Sequence, residues 1–160
     1  MHVKLSHSEQ QMRLDGWNNL FGKDGEWDKG IEQCEYLALT RNDALSFFYL
    51  ANAMAQKEHF EKELEYLVSA ATLEYSPALY RLGRCFWYGT NVEKDKDRAL
   101  KNIYRSAELG NFLAKRWVLT YEWKKLKKIS FLRFRYLMLI NSIQAMREHW
   151  RDENSHKVWE

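Results

Sequence analysis

The amino-acid sequence predicts an all-α fold, a short α-solenoid in which antiparallel helix pairs repeat about three to four times before a long C-terminal capping helix. Its 160 residues include one proline and seven glycines, too few for an architecture of strands and tight turns. Aromatic residues make up 15% of the chain, far more than intrinsic disorder allows. Apolar residues recur at helical spacing in segments that repeat every 33 to 36 residues.

One type of amphipathic helix is predicted three times. The segment Leu64–Leu73 matches Leu100–Leu109, which lies 36 residues later. An earlier copy, Ile31–Leu39, begins 33 residues before Leu64. Each copy has apolar residues at i and i+3 and a small residue at i+7, where a neighbouring helix can approach. We interpret this segment as the second helix of a repeated pair.

A second type of helix alternates with the first. Phe48–Met54 aligns with Tyr80–Phe86, and Arg116–Glu122 is similar to both. A small residue, Ala51 or Gly83, follows the leucine in the first two copies. Because a glycine inside a helix costs up to about 1 kcal/mol relative to alanine, we expect Gly83 at a close contact between helices.

Residues suited to helix ends flank the middle pair. Gly89 is predicted to end its first helix, and Asp95 to cap its second helix, which begins near residue 96. Asn111 is a candidate cap for the following helix. Pro77 suits the first turn of a helix, where a missing N–H costs little.

The middle pair has a pattern of small, apolar and capping residues at Ala78, Leu82, Gly83, Phe86, Gly89, Val92, Asp95, Ala99, Leu100, Ala107, Gly110, Asn111 and Ala114. This pattern resembles a Sel1-like repeat, which is a close relative of the tetratricopeptide repeat. Asn91, Asn102 and Ser106 depart from the family pattern, where glycine, an aromatic residue and alanine are usual. Because asparagine tolerates a left-handed backbone, we expect the loop to keep its shape at Asn91.

We expect a single α-solenoid domain over residues 1–160. The resemblance implies a degenerate repeat at about 11–43, a tetratricopeptide-like repeat at 44–77, a Sel1-like repeat at 78–113, and a degenerate repeat with the C-terminal cap at 114–150. The long last helix is predicted at about 129–150. Terminal repeats are expected to deviate most from the family pattern, because they act as caps.

The net charge of +3 conceals an asymmetry between the two halves of the chain. Residues 1–80 contain seven Lys and Arg against 13 Asp and Glu, a net −6, whereas residues 81–160 contain 18 against nine, a net +9. Eight of these basic residues and only one acid, Glu122, fall between residues 115 and 135. The basic half favours an acidic partner, either a protein or a nucleic acid, although such a run also occurs on a solvated helix face.

The sequence indicates no catalytic residue, no metal site and no cofactor, and therefore no enzyme and no small-molecule substrate. Its five histidines form no metal-binding pair, and no phosphate loop, dinucleotide motif or nucleophile elbow is present. Cys34 and Cys85 fall where the repeat requires apolar or small residues, so we expect structural thiols. Without a signal-peptide pattern or a membrane-spanning apolar run, we expect a cytoplasmic protein. A membrane-surface role for residues 129–146 is disfavoured, since their apolar face is needed to cap the solenoid.

The resemblance also implies where a partner binds. In the tetratricopeptide architecture the first helix of each pair lines a concave groove. Transferred to this chain, the partner-binding residues are Phe48, Asn52, Tyr80, Arg84, Trp87, Tyr88, Arg116, Thr120, Trp123 and Lys124. Trp, Tyr and Arg dominate binding hot spots, and the basic residues favour an acidic partner. The alternative is that Trp87 and Trp123 pack between helices.

These observations predict a non-catalytic protein–protein interaction module that binds an acidic protein in its groove. Relatives resembling the Sel1-like family act mostly as adaptors, and some small bacterial ones resemble immunity proteins that neutralise a cognate toxin. We therefore expect either an immunity protein or an adaptor or scaffold in signalling, secretion or assembly. The remaining alternative is nucleic-acid binding through the basic patch at 115–135, with Trp117, Tyr121 and Trp123 available for base stacking.

Overall fold

Helices form all the regular secondary structure that the structure, a computed structural model, shows for residues 4–126 and 130–151. In chain order they are α1 (His7–Phe21), α2 (Trp27–Arg41), α3 (Ala44–Gln56), α4 (Phe60–Thr72), α5 (Ser76–Tyr88), α6 (Lys96–Glu108), α7 (Phe112–Tyr121), a π-helical turn (Glu122–Leu126) and α8 (Phe131–Arg151). Neighbouring helices pack against each other from α1 to α4 and from α5 to α8, which confirms the predicted all-α solenoid of antiparallel helix pairs.

The chain divides into two compact units, Met1–Ala78 and Leu79–Glu160. The predicted single domain over 1–160, with its four repeat boundaries, stays a prediction. The boundaries at residues 44 and 78 fall at the first residue of α3 and just inside α5, respectively.

The first unit is built around α3, which contacts α1, α2 and α4. Asp43 caps α3 by accepting hydrogen bonds from the backbone N–H and the hydroxyl of Ser46, at 3.0 and 2.6 Å. The same carboxylate lies 3.1 Å from the guanidinium of Arg13 on α1. This buried cap therefore joins two helices, because it serves the backbone of one and the charge of the other.

Gly16 allows α1 to approach α2 closely. A Cβ at this position would lie 2.8 Å from Sγ of Cys34, which is fully buried. Burial raises the pKa of the Cys34 thiol to about 12. Cys34 is therefore a protonated, structural thiol, as its place in the repeat predicted.

In the second unit, α5 and α6 meet at Gly83. A Cβ on this glycine would lie 2.6 Å from Cγ1 of Ile103 and 3.0 Å from the carbonyl oxygen of Ala99. Such distances leave no room for a side chain, which confirms the close contact that the repeat pattern predicted.

The caps of the middle pair are those predicted from the sequence. Helix α5 ends before Gly89, whose φ is +75°, and Asn91 also adopts a left-handed backbone with φ of +58°. Asp95 accepts hydrogen bonds from the backbone N–H groups of residues 97 and 98 at the start of α6. Asn111 accepts a hydrogen bond from the backbone N–H of Ala114 at the start of α7, so this helix is also capped by a side chain.

The last helix, α8, packs against α7 through one of its faces. Asn141 and Ala145 are buried on that face, and the Asn141 side chain donates a hydrogen bond of 3.2 Å to the Phe112 carbonyl. Its start at residue 131 and end at residue 151 agree with the predicted capping helix. Among the described helices, none is both long and apolar enough for a bilayer crossing.

Candidate functional site

Helix α5, helix α7 and the π-helical turn enclose a surface cleft of about 350 Å³, here called the α5–α7 cleft. All of it belongs to the second unit. Five of the ten residues predicted to bind a partner line it, namely Tyr80, Trp87, Arg116, Thr120 and Lys124. The other lining residues are Leu113, Trp117, Tyr121 and Lys125.

Three aromatic rings form the floor of the cleft. Trp87 meets Trp117 and Tyr121 edge to face, with ring centroids 4.9 and 5.5 Å apart. Trp117 and Tyr121, one turn apart on α7, are stacked at 5.2 Å with planes inclined by 15°. All three side chains are half-buried, so each is packed against its neighbours and still exposes part of its ring to a partner.

The rim of the cleft is basic. Arg116, Lys124 and Lys125 line it and are exposed. On the α5 side, burial raises the pKa of Tyr80 above its usual value of 10, although the nearby guanidinium groups of Arg84 and Arg116 oppose this shift. The Tyr80 phenol is therefore protonated at neutral pH and can donate a hydrogen bond to an anionic group.

Arg84 and Tyr88 extend this surface along α5 beyond the cleft. The Arg84 guanidinium carbon lies 5.9 Å from the ring centroid of Tyr80 and 5.8 Å from that of Tyr88. Residues four apart share one face of a helix, so the two rings flank the arginine and restrict its orientation. Tyr88 is 58% exposed and Arg84 is also exposed, which leaves both accessible to a partner.

Lys124 and Lys125 reach the cleft from the π-helical turn. Such a turn widens the helix and shifts the register of the residues after it, and single π-turns are frequent at functional sites. The acidic residue of this segment, Glu122, accepts a hydrogen bond of 3.3 Å from the Tyr104 hydroxyl on α6. Burial, followed by this carboxylate, raises the pKa of Tyr104.

Trp123 packs between helical segments, the alternative that the sequence left open. Its ring is stacked on Phe134 of α8, with centroids 4.5 Å apart, and lies 5.8 Å from Phe131. The side chain is half-buried and does not line the cleft. Trp123 therefore attaches α8 to the π-helical turn.

Phe48 and Asn52 belong to the first unit and do not line this cleft. Phe48 is 2% exposed and its ring lies 5.3 Å from that of Tyr75, so its predicted role as a contact residue is corrected to one in the core. The reason is that α3 contacts α1, α2 and α4, so little of its surface remains to line a groove. Asn52 is half-buried and has interaction partners within the structure.

Sequence reasoning did not place Leu113, Trp117, Tyr121 or Lys125 in the groove, although it offered Trp117 and Tyr121 for base stacking and included Lys125 in the basic patch. Their spacing of four residues along α7 is a signal that could have identified the first three as one face. The tetratricopeptide positions instead selected 116, 120 and 124, the neighbouring line on the same helix. Lys125, four residues after Tyr121, continues the same spacing into the π-helical turn.

The basic patch predicted at 115–135 is divided between several elements. Lys115 and Arg116 lie on α7, Lys124 and Lys125 on the π-helical turn, and Arg133 and Arg135 on α8. Lys127 and Lys128 lie outside the described residues. Within residues 4–126 and 130–151, no group of three or more His, Cys, Asp or Glu side chains is placed to hold a metal ion.

The stacked, antiparallel helix pairs place the chain in the class of α-helical repeat proteins. The family model of the Sel1 repeat matches residues 76–111, so this segment is similar to a Sel1 repeat. It comprises α5, the loop after it, α6 and the cap of α7. Comparisons with curated proteins and with solved structures found no match. Sel1 repeats are in general protein–protein interaction modules and are typically non-catalytic.

Proposed function

We propose that the chain is a non-catalytic protein-binding module whose partner binds at the α5–α7 cleft. The observation that supports it is the meeting of an aromatic floor and a basic rim within the Sel1 repeat and the helix that follows it. Large aromatic residues and arginines, partly buried and rigidly packed, are the residue types of binding hot spots.

The partner's contact region is acidic. Arg116, Lys124 and Lys125 offer three positive charges around the cleft, and the Tyr80 hydroxyl offers a neutral donor beside them. An acidic segment with an aromatic or aliphatic side chain between its carboxylates would match both the floor and the rim. Such charge complementarity accelerates association and selects against basic competitors.

The cellular role that we infer is that of an immunity protein, which neutralises a toxin by covering the surface the toxin needs. This role requires affinity and no chemistry, which suits a cleft built from aromatic and basic residues. An adaptor or scaffold in signalling, secretion or assembly is the alternative role for the same cleft. The two free cysteines suit a reducing compartment, which supports a cytoplasmic site of action.

Nucleic-acid binding is the second candidate function. The observation in its favour is that Lys124 and Lys125 line the same cleft as the stacked rings of Trp117 and Tyr121. Cations beside stacked aromatic rings are the elements with which proteins bind single strands.

Affinity capture from the cells that make the protein, after nuclease treatment, tests the proposal. We expect one stoichiometric protein to be retained by the natural chain and lost with Arg116→Glu. The matched control is Lys101→Glu, which reverses an exposed charge on α6 outside the cleft. Equal retention by both variants would refute binding at the cleft. Recovery of nucleic acid alone, lost as salt rises, would support the second candidate.

A further inference from the structure

Helix α8 has an apolar stripe on the side that does not pack against α7. The stripe consists of Leu132, Tyr136, Leu139, Ile143 and Met146, which are 80%, 63%, 59%, 38% and 61% exposed, respectively. Its spacing of four and three residues in alternation is that of a narrow coiled-coil seam. The apolar face of this helix was expected to cap the solenoid, and this second apolar line stays uncovered.

The exposed apolar stripe of α8 indicates that a binding partner covers it. An amphipathic helix of a repeat array normally turns its apolar side chains towards a neighbouring helix. The stripe from Leu132 to Met146 instead presents large apolar side chains over about 21 Å of helix. Exposed apolar surface of this kind marks an interaction site.

The edges of the α8 stripe are basic. Arg133, Arg135 and Arg147 are exposed beside it, and the sequence from 131 to 147 contains no acidic residue. The Arg135 guanidinium carbon lies 5.8 Å from the ring centroid of Phe131, which orients this arginine near the start of the stripe. A fitting occupant is therefore apolar along its centre and acidic along its edges.

Helix α2 has a surface with these properties. A groove of about 510 Å³ follows it and is lined by Asp28, Ile31, Glu32, Glu35, Tyr36, Leu39 and Thr40. Tyr36 and Leu39 are 52% and 70% exposed, and three of the seven lining residues are acidic. These residues recur every three or four positions from 28 to 40, so the groove extends over about 18 Å.

We infer that α8 of one copy docks on the α2 groove of a second copy, so that the protein associates head to tail through two different surfaces. The α2 groove and the α8 stripe are similar in length, about 18 and 21 Å, and the arginines of α8 meet the carboxylates of α2. Two α8 stripes facing each other would bring only arginines together. The docking also pairs the basic half of one copy with the acidic half of the next. Because the two surfaces differ, a complex that has not closed into a ring keeps a free α2 and a free α8 at its ends and grows with concentration.

Two variants that each block one surface test this inference. Leu139→Lys places a charge in the α8 stripe, and Leu39→Lys places one in the α2 groove; both leucines are exposed, so the fold should be retained. In sedimentation velocity over a concentration series, the average mass of the natural protein should rise, and each variant alone should remain monomeric. An equimolar mixture should form a dimer that does not grow, since one productive pair of surfaces remains.

Gln144→Lys is the matched control, because it adds the same charge at an exposed α8 position outside the stripe. It should assemble as the natural protein does, and so should Arg116→Glu, which separates this inference from binding at the α5–α7 cleft. Three outcomes would overturn it: a natural protein that is monomeric at every concentration, dimers of Leu39→Lys alone, or no complex in the mixture. Loss with Leu139→Lys of binding to phosphatidylcholine–phosphatidylserine vesicles, without self-association, would instead assign the stripe to a membrane surface.

Discussion

The indole ring of Trp87 on α5 meets that of Trp117 on α7 edge to face, with centroids 4.9 Å apart and planes at 83°. Pairs of this kind stabilise a fold by about 0.5–1.5 kcal/mol beyond their burial. The same two rings hold neighbouring helices together and form the floor of the α5–α7 cleft. Replacing Trp87 would therefore change stability and binding together, which is why exposed charges on the rim are the sharper probes of binding.

Gly83→Leu should destabilise the second unit. A Cβ at this position already lies 2.6 Å from Cγ1 of Ile103, so a larger side chain must displace α6. We expect the free energy of unfolding in urea to fall by about 1–3 kcal/mol. Ile103→Ala should cost less stability in the Gly83→Leu chain than in the natural chain, because the larger side chain at position 83 fills part of the space that it opens. Strict additivity of the two changes would contradict the contact.

Asp95→Ala should lower the free energy of unfolding by about 1 kcal/mol. The Asp95 side chain accepts hydrogen bonds from the backbone N–H groups of residues 97 and 98, which have no other partner within the first turn of α6. Asp95→Asn keeps an accepting oxygen and is the control, so it should lose much less stability. Equal losses for both variants in urea denaturation would argue against the cap.

The helix pairs, their caps and the close contact at Gly83 could be predicted because they depend on residues near in sequence. Gly89, Asp95 and Asn111 each act on a helix end within a few positions, and their residue types restrict the local backbone. The pattern of the middle pair also agrees with the Sel1 repeat at residues 76–111.

The cleft could be predicted only in part, because its residues are selected by packing between helices. The repeat positions placed Trp87 and Arg116 in one groove, and both line the α5–α7 cleft. They failed at Phe48, because the burial of α3 depends on how many helices surround it. They missed Lys125, because it follows the line of Trp117 and Tyr121 and not that of Arg116 and Thr120. Which helices surround α3 and which line of α7 faces the cleft both depend on packing beyond a single helix pair.

The ion pair between Glu9 on α1 and Arg41 on α2 should weaken in acid. Glu9 accepts hydrogen bonds from the Arg41 guanidinium, with Nε and Oε1 2.6 Å apart, and from the backbone N–H of Ser6 at 2.7 Å. These contacts lower the pKa of Glu9 from its usual 4.5 to about 2. The stabilisation is therefore complete above pH 4.5 and is lost as the pH falls towards 2.

Glu9→Gln tests this pH dependence. The variant should melt below the natural protein at neutral pH, and the difference in Tm should shrink as the pH falls through the same range. Differential scanning calorimetry from neutral pH to pH ~2 measures it. A difference in Tm that stays constant with pH would show that the ionised Glu9 contributes nothing.

Cys34 should not react with thiol reagents while the protein is folded. Its side chain is fully buried, and burial raises the thiol pKa to about 12, so almost no thiolate exists at neutral pH. Cys85→Ser leaves Cys34 as the remaining cysteine. This variant should be silent towards Ellman's reagent when native and should react fully in guanidinium chloride; a reaction at native conditions would contradict the packing of α1 on α2.

The most direct measurement of the central claim is site-specific photo-crosslinking at the rim of the α5–α7 cleft. A diazirine analogue of lysine replaces Lys124 in the cells that make the protein, and the same analogue at Lys101 on α6 is the matched control. After nuclease treatment and mass spectrometry, we expect one protein crosslinked from position 124 and not from position 101. Crosslinks to nucleic acid alone, or equal protein crosslinks from both positions, would contradict a protein partner bound at this cleft.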